Sequence, residues 1–142
     1  MPRSSRLALL LAVAVAVAVA GCAFGEIFDS HGDPVTLTTE DLVGTWCSNA
    51  RSITFADSGE FTAKDLPRPL FQDHAPPDGS PIDGAGDWTV SGSTVSLHFT
   101  TIAGTTVSGG DELTALRQKS GKVFLFFFYV DQGNSWTSYE KC

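Results

Sequence analysis

The stretch "GDWTVSGSTVSLHF", residues 86–99, constrains the fold more tightly than any other part of the chain. Trp88 and Val90 precede Ser91-Gly92, and Val95, Leu97 and Phe99 follow in strict alternation with Ser96 and His98. An apolar period of two marks a half-buried strand, and a Ser-Gly between two such runs marks a hairpin. The device recurs along the chain. "RSITFA" places Ile53 and Phe55 on one face, "DSGE" makes a turn, and "EFTAK" sends Phe61 and Ala63 inward. "DELTALRQ", the turn "KSGK", "KVFLFFFYV", the loop "DQGNS" and "WTSYEK" follow, and "GTWCS" at 44–48 brings the count to eight strands. "TTEDLVGTW" allows one short helical turn, because Thr38 stands three residues before Asp41 in a capping-box-like arrangement. Eight sequential strands with mostly short connections predict an all-β, up-and-down antiparallel barrel, with room inside for side chains or one small ligand. A two-sheet β-sandwich is the rival architecture.

The N-terminus has a different logic. Arg3 and Arg6 precede an apolar run of 14 residues, Leu7 to Ala20, and small residues surround Gly21-Cys22. That is the three-part layout of a secretory signal. A membrane-spanning helix needs ~20 apolar residues, a length reached here only by counting on to Phe24. "VAGC", residues 19–22, resembles the bacterial lipobox, which implies that Cys22 is acylated and becomes the first residue of the mature protein. Ordinary cleavage after Ala18-Val19-Ala20 and an uncleaved anchor are the alternatives. The chain thus divides into a signal at 1–21, a tether at 22–37 and a barrel domain at 38–142. The resemblance implies a place on the extracytoplasmic face of a bacterial membrane, held by acyl chains that contribute ~0.8 kcal/mol per buried methylene.

Three cysteines leave an odd one in an exported protein. If Cys22 is acylated, Cys47 and Cys142 remain as a pair that an oxidising compartment keeps joined. Two buried free thiols are the other reading. Loss of the signal removes Arg3 and Arg6 and moves the formal net charge from −7 to −9. With no Lys/Arg run in the chain, nucleic acid and attachment through a basic patch are excluded, while a cationic partner suits the acidity.

"LVGTW", "ITFADSGEFTA" and "GDWTVSGSTVSLHF" resemble the small lipocalin-like domains of bacterial lipoproteins. The resemblance implies that the G-x-W motif, Gly44 and Trp46, sits at the closed end of the barrel with Lys141 as the basic cover. The avidins share the G-x-W opening, and that likeness places Ser48, Asn49 and Ser52 near a ligand ring.

"VFLFFFYV", residues 123–130, is apolar on both faces, so a one-layer barrel buries only half of it. The outer set, Phe124, Phe126, Phe128 and Val130, needs cover from the long loop, a partner or lipid. That loop, residues 65–86, contains five prolines and is long for a structureless connection, which also suits a lid over the barrel mouth. Its "DGSPIDG" departs from the calcium-loop pattern at Ser80 and Ile82, so no metal is expected. His31, His74 and His98 show no metal spacing and no nucleophile partner, and His74 beside Asp73 is the sole pair of interest. No catalytic residue and no cofactor is expected, and the protein reads as a non-enzyme.

Two functions remain. One is a tethered barrel for a small apolar ligand lined by Trp88, Phe99, Phe127 and Trp136. The other is an interaction module of the cell envelope, docking or inhibiting a protein partner through strand 123–130 or the acidic loop 65–86. Interior volume separates them: a barrel filled by its own aromatics favours the second.

Overall fold

Alternation in the sequence becomes a closed wall. The computed structural model describes residues 31–129 and 135–142. The ring consists of β2 (Gly44–Ser48), β3 (Arg51–Phe55), β4 (Glu60–Lys64), β5 (Gly84–Ser91), β6 (Thr94–Ile102), β7 (Thr105–Arg117), β8 (Val123–Tyr129) and β9 (Ser135–Lys141). Consecutive strands pair antiparallel, and β9 returns to β2 through Trp46 opposite Lys141 and Cys47 opposite Glu140. Closure leaves the ring without an edge strand, and it rules out the sandwich. A two-residue strand, β1 (Asp33–Pro34), stands outside the ring.

The ring is filled from within. Ile53, Phe55, Phe61, Trp88, Val95, Leu97, Phe99, Leu113, Leu125, Phe127 and Tyr139 are buried in one cluster. These are the inward positions of the alternating strands, and the polar residues between them face water. Aromatic edges interlock inside the ring. Phe61 meets Phe99 with centroids 5.1 Å apart, and Phe127 meets Tyr139 at 5.9 Å. Edge-to-face pairs of this kind add to the area they bury.

One end is shut by the segment before β2. Here α1 (Thr39–Leu42) is a single turn held by a full capping box. The Thr38 hydroxyl accepts from the Asp41 N–H at 3.2 Å, and the Asp41 carboxylate accepts from the Thr38 N–H at 2.8 Å. Leu42 from this turn is fully buried. The compact unit runs Pro34–Cys142, so the last residues of the expected tether belong to it. Val35 donates its N–H to the Ala115 carbonyl and Leu37 to the Gly92 carbonyl, which lays both apolar side chains against the barrel. Polar neighbours had hidden that short apolar alternation.

The box has a measurable pH signature. The Thr38 N–H, then the Thr38 hydroxyl, hold the Asp41 carboxyl below the usual carboxylate range. A lowered folded value stabilises the fold above the ordinary carboxylate pKa, and the contribution disappears as pH falls through the lowered one. Thr38→Ala is expected to cost ~1 kcal/mol at neutral pH. Urea unfolding should show that penalty shrinking in acid, once Asp41 is protonated.

Candidate functional site

At the closed end the G-x-W motif has a packing role. Gly44 adopts φ +126°, and a Cβ there would lie 3.2 Å from Lys141 Cε. The position therefore needs glycine both for its backbone and for the lysine crossing it. Trp46 is buried, donates its indole N–H to the Leu42 carbonyl at 2.9 Å, and lies 5.8 Å beneath the Lys141 ammonium. Lys141 also donates to the Asp41 carbonyl at 2.8 Å. Lys141 therefore spans from the Trp46 ring to the single helical turn before β2.

Beside it, Cys47 and Cys142 form a disulfide with Cα atoms 5.7 Å apart. The bridge ties the first ring strand to the end of the last. Cys22 lies outside the described residues, and so do the apolar run before it and Val130.

The opposite end is covered by the proline-rich loop. Pro67 turns the chain into α2 (Arg68–Phe71), followed by a 3₁₀ turn at Gln72–His74. The Arg68 guanidinium donates to the Gly79 and Ser80 carbonyls, both at 2.7 Å, which draws the loop closed. Leu66, Phe71 and Ile82 are buried. Phe71 enters the barrel itself, with its ring centroid 5.3 Å from Phe99 and 6.1 Å from Phe127. The loop is a lid that also plugs the mouth. Its apolar residues are thereby spent on the interior, so the loop does not cover the outer aromatic wall. His74 and Asp73 remain exposed on the lid. No group of three or more metal-ligating side chains occurs among the described residues.

The four residues expected to line a ligand do not act together. Phe99 and Phe127 are buried and already packed against Phe71. Trp88 is buried against Phe55 and donates to the Ala56 carbonyl at 3.2 Å. Trp136 lies on the outside. It stands opposite Phe128 and three residues from the inward Tyr139, an odd separation that puts it on the other face of β9. Ser48 and Ser52 also divide, because Ser48 has the inward parity of Trp46 and Ser52 lies between the inward positions Arg51 and Ile53. Depressions lined by described residues open outward. One, of about 550 Å³, lies on the wall of β5–β7 between Asp87, His98 and Glu112.

Two features stand apart from ordinary core packing. The first is the outer wall of β7–β9. Phe126 and Phe128 stack with centroids 5.4 Å apart and planes 9° from parallel, and Phe124 tilts against Phe126 at 6.3 Å. Leu116 pairs with Phe124 and Trp136 with Phe128, extending the apolar strip across three strands. Leu116 is 0 % and Phe126 2 % exposed although both are outside the interior cluster, whereas Trp136 is 47 % exposed. The strip has a buried floor, two half-buried rings in Phe124 and Phe128, and one exposed ring in Trp136.

The second lies inside the mouth. Arg51, Tyr129, Thr137 and Tyr139 share the inward face, and Tyr129 and Thr137 are hydrogen-bonded through their hydroxyls. Burial pushes the Tyr139 phenol well above its ordinary value, with the nearby Tyr129 adding to the rise and the Arg51 charge opposing it. Burial raises Tyr129 as well, against the Thr137 hydrogen bond and Arg51. Both phenols therefore stay protonated and can donate. Asp111, also raised chiefly by burial, stands nearby on β7 and accepts from the Glu112 N–H at 2.8 Å. Sequence reading missed Arg51, because an arginine opening a strand resembles a solvated end. Its parity with Ile53 and Phe55 was the available signal.

Fold and ends together define a closed eight-stranded β-barrel compatible with a lipocalin-like architecture. Comparison with family models, with curated proteins and with solved structures gives no match to this chain.

Proposed function

We propose that the protein is a lipid-tethered, extracytoplasmic interaction module, a lipocalin-like barrel that docks a basic envelope protein on the outer strip of β7–β9. Acylation of Cys22 supplies the tether, and the barrel performs no chemistry. The observation that carries this reading is the strip itself: Leu116, Phe124, Phe126, Phe128 and Trp136 are apolar on the outside of a wall whose inside is already filled. Aromatic side chains over a desolvated floor have the composition of an interface centre. Charge selects the occupant. The chain carries 16 acidic against 9 basic residues, so a second copy or an anionic bilayer is repelled and a cationic protein is drawn in.

Phe128→Ser combined with Trp136→Ser removes one half-buried and one exposed ring and is expected to lower unfolding stability by about 1–2 kcal/mol, leaving the barrel folded. The same pair should abolish association. In sedimentation of protein extracted from its own membranes in mild detergent, the native chain should run as a heteromer that salt weakens, and the double variant as a single acylated chain of residues 22–142 plus micelle. A native homodimer, a lone native chain, or a heteromer that survives the double substitution contradicts the reading.

A small apolar ligand in the barrel is the second reading, and one observation favours it. Phe71, the ring between Phe99 and Phe127, is carried by the lid rather than by the wall. A ligand would occupy its place when α2 swings out.

A further inference from the structure

Among the described residues, two buried donors in the mouth of the barrel have no hydrogen-bond partner. Arg51 begins β3 two residues before the buried Ile53, and its Nε is buried without a hydrogen-bond partner. Among the described residues its guanidinium enters no ion pair and no side-chain hydrogen bond. The Tyr139 hydroxyl is likewise buried without a partner, on a residue that is 0 % exposed. The two are neighbours: Ser48 is opposite Arg51 across the β2–β3 hairpin, and the register of β2 with β9 brings Tyr139 to the level of Ser48. The Arg51 charge reaches both Tyr139 and Tyr129.

Buried donors left without a partner are costly, and each calls for water or a ligand to complete it. A water can accept from either donor but brings no charge to the guanidinium. A carboxylate answers both demands. It accepts side-on from Arg Nε–H and Nη–H as a planar fork, and its other lone pairs reach the phenol O–H. Asp111 and Asp65 lie near enough to act on the phenols, yet among the described residues neither forms an ion pair with Arg51, and Asp111 accepts from the Glu112 N–H instead.

We propose that Arg51 and Tyr139 bind the carboxylate of a small organic acid in the barrel mouth. Phe71, Phe99 and Phe127 occupy the apolar interior beyond them, so the acid is short. This site is separate from the outer strip and stands whether or not that surface docks a partner.

The test is a titration of the full chain in detergent micelles with sodium butyrate and, separately, with butan-1-ol, at constant chloride, followed by calorimetry. Butyrate should bind saturably and the alcohol should not. Arg51→Gln and Tyr139→Phe should each weaken butyrate at least tenfold. Tyr139→Phe keeps the buried ring and removes one orphaned hydroxyl, so it remains folded and informative even if Arg51→Gln does not fold. Absence of saturable butyrate binding, equal binding of acid and alcohol, or unchanged affinity in Tyr139→Phe overturns the proposal and leaves the pair as a structural water site.

Discussion

Replacing Cys47 and Cys142 together by alanine is expected to lower the free energy of unfolding by ~4–5 kcal/mol. The bridge closes a loop of 95 residues, which spans nearly the whole ring, and in the chain-entropy view the cost of leaving that loop open in the unfolded chain grows with its length. Its placement adds a second effect. The β2–β9 seam has two residue pairs in register, whereas β5–β6 has eight, so the disulfide reinforces the weakest join of the barrel. Hydrogen exchange should therefore show the β9 amides losing protection before those of β5–β6 in the alanine variant. Equilibrium urea unfolding gives the magnitude. A loss below ~1 kcal/mol would mean that the Thr45–Cys142 backbone bond and the Trp46–Lys141 packing hold the seam unaided.

Phe127→Ala is the other large effect, at ~3–5 kcal/mol. Phe127 is fully buried and touches both the lid, through Phe71, and the neighbouring strand β9, through Tyr139. Truncation removes its transfer free energy and leaves a cavity among Leu125, Phe99 and Phe71 that the rigid ring cannot close. A dry apolar cavity of this kind accepts a small arene. Benzene should raise the melting temperature of Phe127→Ala and leave the native protein unchanged. If benzene stabilises both equally, the native interior already has room, and the apolar-ligand reading replaces the docking one.

Much of the barrel was legible because its inward residues are apolar and its outward ones are not. The turns after Phe55, Val90 and Arg117 carry glycine or asparagine-like chemistry at the expected places, and the strands they join appear where the alternation puts them. β7 was only half readable. Of its first six residues, Thr105, Thr106, Gly109 and Gly110 pair with β6 around an irregularity, and Thr-Thr-Val-Ser-Gly-Gly offers no apolar rhythm to announce a strand. The lid's apolar residues could be named but not aimed: composition says that Leu66, Phe71 and Ile82 want burial, and only the tertiary fold decides between the mouth and the outer wall. Trp136 is different. Counting three residues to Tyr139 puts them on opposite faces, so its exclusion from the interior followed from parity alone. Arg51 and Tyr139 fall between these cases, since parity gives their direction while their orphaned state depends on what every neighbour already bonds to.

The division of labour between a filled inside and an apolar outside is the centre of the account. Photo-crosslinking in intact cells tests it most directly, with p-benzoylphenylalanine placed at position 136 on β9 and, in a second strain, at position 98 on the outer face of β6. Cross-linking from position 136 to one protein of basic isoelectric point, with none from position 98, is the predicted result. Adducts from both positions, from position 98 alone, or from position 136 only to lipid or to another copy of the chain would contradict it.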